Sequence, residues 1–336
     1  MSKKGKNEFE VKILKPEDYC LWDQLVNDSS VGTIFHHSFW LEANGMPFEI
    51  YGCFKNGNLV GGMPLCLKKK IFNYKIGMPP PLTPYLNIVT HSLINNNTKK
   101  QSFCRKISES IIDYLKKNYL HVQFKISMDE LDLIPFLRGS FDISVKITYI
   151  LSLDNIDFIW RNLHVGKRTD IRNALRKRFE VRENVEPNIL FDLVEKTYQR
   201  QRKNNLVSIY GRNYYTKLRE HNCGRNFVVF NSLGEPLGGI YIVWDRNKSY
   251  YLTGGYDHNK NEPSAVAFAL WHAIRFSKEK LGLRYFDFEG SQAPNLETFF
   301  RRFGGTQVPY YRVSWSTRPI RIARELKKIT SIIFST

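Results

Sequence analysis

The order of apolar and polar residues divides the chain into two runs of similar pattern. Alternation from Phe9 to Leu14 predicts a strand, and Pro16 followed by Glu17 and Asp18 predicts a helix to about Val26. After the FHHSFW run that ends at Trp40, two strands are expected, Glu49 to Phe54 and Leu59 to Ile71, joined by a hairpin turn at Asn56-Gly57-Asn58. The stretch MPPPLTPYLN, Met78 to Asn87, reads as a surface loop or rim, because successive prolines cannot serve a central strand. Gln101 to Tyr119 sets Phe103, Ile107, Ile111 and Leu115 on one helical face. A strand from Val122 to Ile126, a short helix near Leu131 to Leu137 and a strand from Ile143 to Leu153 close this half.

The second half repeats that order. Gly166 to Arg178 and Pro187 to Lys203 read as helices, and Phe227 to Phe230, Leu237 to Trp244 and Tyr250 to Thr253 as strands. A helix from Pro263 to about Leu281, a strand from Arg284 to Phe288, a helix from Leu296 to Phe303 and a strand from Tyr310 to Trp315 follow. Strand, helix and strand between Tyr250 and Phe288 make a βαβ unit, whose ligands usually lie beyond the carboxyl ends of the strands, near the helix N-terminus. Here that place is Tyr256 to Ala265. The correspondence of the halves extends to residues, since FKNGNLVGGMPLCL from Phe54 matches FNSLGEPLGGIYIV from Phe230. The expectation is a mixed α/β chain of two duplicated domains, 1–145 and 146–317, each a mixed sheet flanked by helices. Beyond them, 318–336 sets Ile322, Leu326, Ile329 and Ile333 on one helical face among arginines and lysines, a basic amphipathic helix. Such a helix either lies in an anionic membrane surface or packs on the second domain.

Composition narrows the setting. With 336 residues and 42% hydrophobic content the chain can bury a large core. No apolar run approaches a membrane span and the start MSKKGKNEFE lacks a signal peptide's apolar stretch, so a cytoplasmic protein is expected, with peripheral contact at the inner membrane face through the tail. Five scattered cysteines without CxxC spacing argue against a disulfide framework or a metal site and read as buried thiols. The net charge of +18 is uneven: residues 1–150 carry +5 and the remainder +13. Such a field attracts phosphate-bearing ligands, nucleic acid or anionic lipid without choosing among them.

The order of elements resembles the GNAT acyltransferase fold in tandem. The FHHSFW run, GNLVGGMPLCL, RTDIRNALRK, KTYQRQRK, FDFEGS and FFRRFGG are together similar to the FemAB-type family, which includes peptidoglycan-bridge aminoacyltransferases. The resemblance runs from about Ile34 to Tyr311. It implies transfer of an acyl or aminoacyl group from acyl-CoA (acetyl-CoA) or aminoacyl-tRNA to an amine of an amino sugar, a peptide or a lipid-linked precursor. Two departures stand out. The long helical hairpin of the bridge-forming members is absent, and where they carry a lysine in a Phe-Lys-x-x-Phe-like motif this chain has Phe300, with Arg301 and Arg302 beside it as stand-ins on the donor side. The expected donor is acyl-CoA, because nothing in the sequence is dedicated to tRNA.

Specific residues follow. Backbone N–H groups around Gly254 and Gly255 can polarise the donor carbonyl, and the loop with Asn261 and Ser264 can seat a phosphate or simply start a helix. Glu289 at a strand end is the general-base candidate, or else a partner of Arg301 or Arg302; Asp287, two residues away, shares its face, and Tyr256 is a candidate acid. Arg168 and Arg172, with Arg176, form one helical stripe that grips phosphates or is a solvated face, beside an apolar stripe of Ile171, Leu175 and Phe179. By the family resemblance, Arg200 and Ser291 belong with the acceptor, and His36 and Trp40 face it in the groove between the domains, unless they are a helix cap over a core indole. A different class of function, a non-catalytic RNA-binding or membrane-surface module, would use the basic second half.

Overall fold

Strand β1 (Phe9–Ile13) leads through helix α1 (Tyr19–Asp28) and the short α2 (Ser38–Ala43) to the hairpin β2 (Phe48–Lys55) and β3 (Asn58–Ile71) in the computed structural model, which describes residues 8–71, 74–91, 97–129, 132–201, 206–290 and 294–324. The hairpin turns as the sequence predicts. Lys55 pairs with Asn58, and Asn56 and Gly57 both take positive φ, +51° and +82°, the conformation that a two-residue turn with matching twist demands.

Next come β4 (Tyr74–Met78) and β5 (Val89–Thr90), then helix α3 (Asn97–Asn118), whose apolar face carries Ile107, Ile111 and Leu115 into the core, and β6 (Tyr119–Ile126). Strand β4 pairs in parallel with β6 at their start. The proline-rich segment is no surface loop: Thr83, Tyr85, Leu86 and Asn87 are buried. Its backbone is satisfied there, since Leu86 N–H donates to the Lys125 carbonyl and Asn87 Oδ1 accepts from Ser127 N–H. Helix α4 (Ile134–Arg138) follows.

Strand β7 (Asp142–Ser152) comes next, then helices α5 (Ile156–Asn162) and α6 (Val165–Arg176), strand β8 (Glu180–Glu183), and helices α7 (Pro187–Arg200) and α8 (Leu206–Glu220). The meander β9 (Gly224–Phe230), β10 (Pro236–Trp244) and β11 (Lys248–Tyr256) leads into helix α9 (Ser264–Glu279), β12 (Tyr285–Asp287), α10 (Pro294–Arg301) and β13 (Thr306–Ser316). Helix α9 buries Ala265, Ala267, Phe268, Leu270, Ala273 and Ile274; its small residues let it lie close on β9 and β10. Strands β8, β9, β10, β11, β12 and β7 lie side by side in that order, and β11 and β12 are parallel. In both runs a meander is followed by a strand, a crossing helix and a parallel strand, the mixed α/β pattern that the sequence predicts in duplicate.

Two compact units result, one of residues 1–145 with 310–336, the other of 146–309. This differs from the sequence reading at both closing strands. Ile150, Leu151 and Ser152 of β7 pair antiparallel with β12 in the second unit, whereas Tyr311 to Ser316 of β13 pair antiparallel with β6 in the first. Each unit is thus closed by the strand that sequence order assigns to the other, because alternation announces a strand without naming its partner. Strands β4, β5 and β8 and helix α8 also escaped the pattern; α8 mixes aromatic and β-branched residues with Gly211, weak signals for a helix. Of the cysteines, Cys53 and Cys66 are buried, with thiols pushed up to about 12 by burial, while Cys20 is exposed, contrary to expectation.

Val313 of β13 is fully buried among Phe124, Ile126 and Val122 of the first unit's core. Val313→Ala should therefore lower the unfolding free energy by about 2 kcal/mol. Urea denaturation followed by fluorescence checks this, and an unchanged midpoint would remove β13 from that core.

Candidate functional site

Strands β11 and β12 begin as a parallel pair and then part. Their ladder ends at Tyr250 opposite Asp287, while β11 runs on to Tyr256 with only β10 bonded along one edge. A bulge at Leu252, between the Thr253–Tyr241 and Tyr251–Ile242 pairs, bends β11 at the start of this free stretch. The gap is a cavity of about 1070 Å³ lined by Tyr251 to Tyr256 on one side and by Phe288, Glu289 and Gly290 on the other. Polar backbone groups on the unpaired edge of β11 consequently face the cavity instead of a neighbouring strand.

Helix α7 fixes the far end of β11. A Cβ on Gly255 would lie 2.4 Å from the Leu193 carbonyl oxygen and 2.6 Å from Val194 Cα, so glycine is needed for the helix to rest on the strand. Thr197 then ties the two together: its Oγ1 accepts from Tyr256 N–H at 3.0 Å and donates to the Tyr256 carbonyl at 3.3 Å. Lys196 adds an ion pair with Asp257 at 2.6 Å. Arg200, one turn on, donates to Tyr256 Oη and places its guanidinium 4.9 Å from the centre of that ring. Arg200 and Tyr256 both line the cavity.

On the opposite side Asp287 and Glu289 do not share a face. Asp287 is fully buried, and its Oδ1 accepts from Thr148 Oγ1 at 2.8 Å and from Glu289 N–H at 2.8 Å. The strand ends there and the chain turns left-handed, with φ of +54° at Glu289 and +48° at Gly290. A left-handed glutamate costs roughly 1 kcal/mol, so the surroundings must impose it. They do so through the Asp287 bond and through Gly290, where a Cβ would stand 2.4 Å from the Ile147 carbonyl oxygen. Asp287 thereby holds the backbone turn at Glu289, and Glu289 lines the cavity. Burial raises the Tyr251 phenol far above its ordinary value, and the charges of Tyr198 and Glu289 add to the effect; Tyr251 and Glu289 line the same cavity.

The other predicted residues scatter. Gly254 lines the cavity with Gly255, but Asn261 and Ser264 do not. Asn261 closes a 3-10 turn in the left-handed region. Around it Asp257 pairs with Lys196, Glu262 with Lys177 and Lys260 with Glu235, so the expected phosphate seat carries matched charges. Arg301 pairs with Glu297 at 3.0 Å and the Arg302 carbonyl accepts from His164 N–H; neither lines the cavity, and Phe300 is buried against it. Arg168 donates to the carbonyls of Arg161 and Leu163, Arg172 sits over Trp160, and the arginine stripe is turned away from the cavity. Beside it Leu175 is exposed and Ala174 takes the buried place. Ser291 and residues 325–336 of the expected basic amphipathic segment lie outside the described residues.

His36 and Trp40 belong to the first unit's core and present nothing to an acceptor. Both are fully buried; Trp40 Nε1 donates to Thr83 Oγ1 at 2.9 Å, and His36 Nε2 donates to the Asn87 carbonyl at 3.0 Å while its Nδ1 accepts from Thr33 N–H. Their partner is the proline-rich segment that follows β4 in the first unit. Lining residues that the sequence reading missed are Lys167 and Asp170, an i,i+3 ion pair at 2.6 Å on α6, and the aromatic residues Tyr198, Tyr251 and Phe299. The spacing of Lys167 and Asp170 was visible, but the arginines around them carried the larger signal.

Comparison with known proteins agrees with this geometry. Residues 166–299 match the family model of the acetyltransferase (GNAT) domain. Among solved structures the chain is similar to FemX, with a TM-score of 0.69 and 14% identity over 90% of this chain and 96% of that one. It is also similar to L-PGS from Bacillus licheniformis, at 0.58 and 14% over 93% and 96%. A tandem GNAT protein from the clavulanic acid biosynthesis pathway, solved without AcCoA, gives 0.53 and 10% over 92% and 98%. At these identities the likeness is one of fold, a mixed α/β fold of tandem GNAT layout. No curated protein matches the sequence.

Burial holds the His36 imidazole down to about 4, against an ordinary value near 6.5, outweighing the opposing Asn87 bond. The folded protein keeps this ring neutral while the unfolded chain takes up a proton below pH 6.5. Stability is therefore full above that pH and falls as pH drops toward 4, by up to about 3 kcal/mol. His36→Gln, which cannot titrate, should flatten this part of the urea-midpoint curve; equal slopes for both proteins would contradict the buried neutral ring.

Proposed function

We propose that this chain, which carries an acetyltransferase (GNAT) domain at residues 166–299 within the fold seen in FemX, is an N-acyltransferase with its reaction centre where β11 and β12 part. The observation that carries the reading is Glu289, held in a left-handed conformation beside the unpaired edge of β11. An amine that enters the cavity as an ammonium loses a proton to the Glu289 carboxylate, and its nitrogen attacks the acyl carbonyl. The new C–N bond forms as the C–S or C–O bond of the activated donor breaks. The backbone N–H groups between Leu252 and Gly254 support the oxygen while it is negative. The leaving sulfur or oxygen takes a proton from Tyr256, whose Oη accepts from Arg200 and so keeps its own hydrogen for donation, and the second proton of the attacking nitrogen then restores the phenol.

The acceptor is an amine of an amino sugar, a peptide or a lipid-linked precursor, as the family resemblance suggests. For the donor, the matched charges of Asp257, Glu262 and Lys260 at the start of α9 favour one whose diphosphate is not clasped there. This weighs against the simplest acyl-CoA mode and for a donor that inserts only its reactive end, as an aminoacyl-tRNA would. Nothing in the reaction requires a covalent enzyme intermediate.

Glu289→Gln should reduce kcat by about 100-fold or more with little change in donor KM, because the lost interaction belongs to proton transfer. Steady-state kinetics at saturating acceptor, with acetyl-CoA and charged tRNA as alternative donors, measures this. Undiminished turnover would reject Glu289 as the base.

A further inference from the structure

The proposed reaction says nothing about the size of the acyl group, but the walls of the cavity do. Part of the lining is a continuous file of aromatic rings. Phe288 stacks on Phe300 with centroids 5.1 Å apart, Tyr251 meets Phe300 edge-on at 5.1 Å, and Phe299 follows Phe300 at 5.8 Å. The file begins at Tyr251, which lines the cavity together with Glu289, and ends under Lys167, whose ammonium lies 4.8 Å from the centre of the Phe299 ring and is held there by Asp170. Leu252, Val266 and Leu296 add aliphatic surface, and Leu296 is 37% exposed.

An acetyl methyl placed at the reaction centre would reach about one ring along this file. The remainder, Phe299 with Leu296 and Val266, would stay wet, a surface that a larger acyl group removes from water with a gain proportional to its area. The charged end of the file is already neutralised: Lys167 is 12% exposed and paired with Asp170, so it closes the pocket without demanding an anionic ligand. Building on the acyl-transfer reading above, we propose that the transferred group is a bulky apolar acyl group, branched aliphatic or aromatic, whose body lies along the Tyr251–Phe300–Phe299 file, and that acetyl is a poor substitute. The bond changes are those already given; the file selects the group by burying it.

The probes are acetyl, hexanoyl and phenylacetyl thioesters of N-acetylcysteamine with glucosamine as the amine, and the matching primary amides as unreactive ligands in calorimetry, all with the full chain. Each methylene moved from water onto the wall is worth about fourfold, so hexanoyl should exceed acetyl in kcat/KM, and hexanamide exceed acetamide in affinity, by on the order of 100-fold. Phe299→Ala should shrink both ratios by about tenfold. Leu252→Trp, which fills the cavity from the strand side, should abolish binding of the larger amides; circular dichroism establishes that each variant is folded. Equal affinities for small and large amides, or none for the large, would overturn the inference. Transfer without size ranking overturns it and leaves the acyltransferase reading standing. Ranked binding without transfer from any thioester overturns that reading and the acyl assignment that rests on it.

Discussion

The parting of β11 from β12 is the constraint on which the site depends. A parallel pair that continued to Tyr256 would satisfy the backbone of both strands and leave no room for a ligand. Instead the pair stops after Tyr250 and Asp287, and the two ends are held apart by separate means. On one side α7 presses on Gly255 and is stitched to Tyr256 through Thr197. On the other the buried Asp287 turns the chain left-handed at Glu289, and Gly290 packs on the backbone of β7. The open edge, the carboxylate and the aromatic file are consequences of that separation.

The same parallel pair occurs in the first unit with the opposite outcome. There the segment after β4 packs into the interior: Leu86 bonds the Lys125 carbonyl, and Asn87 receives both Ser127 N–H and the His36 imidazole. Prolines suit this role because a segment with few N–H groups leaves few to satisfy once it is buried. In the second unit a cavity lies between β11 and β12, whereas in the first the proline-rich segment bonds to the end of β6 and to the residue that follows it.

Much of this was legible in the sequence, because it is local. The βαβ unit announced itself through an aromatic run, a glycine break and a helix with Pro263 at its start, and Glu289 stood out as a carboxylate just past a strand. What escaped was non-local. Whether β7 closes the first unit or the second depends on partners that alternation cannot name, and the burial of His36 depends on Asn87, fifty-one residues away. Charge misled for a related reason: Arg168 and Arg172 declare a basic helix, but only the packing of α6 shows that Lys167 and Asp170 meet the cavity. Asp287 and Glu289 were assigned one face by strand parity, which ceases to apply where φ becomes positive.

The account locates acyl transfer in a single place, the gap between β11 and β12 of the second unit. The most direct measurement is to incubate the full chain with a hexanoyl thioester of N-acetylcysteamine that bears a photoreactive diazirine, irradiate it, and map the labelled residues by mass spectrometry. The account predicts labels on Leu252, Phe299 or Phe300, competed away by unlabelled hexanamide. Labels confined to the first unit, or spread over the surface and indifferent to the competitor, would contradict it.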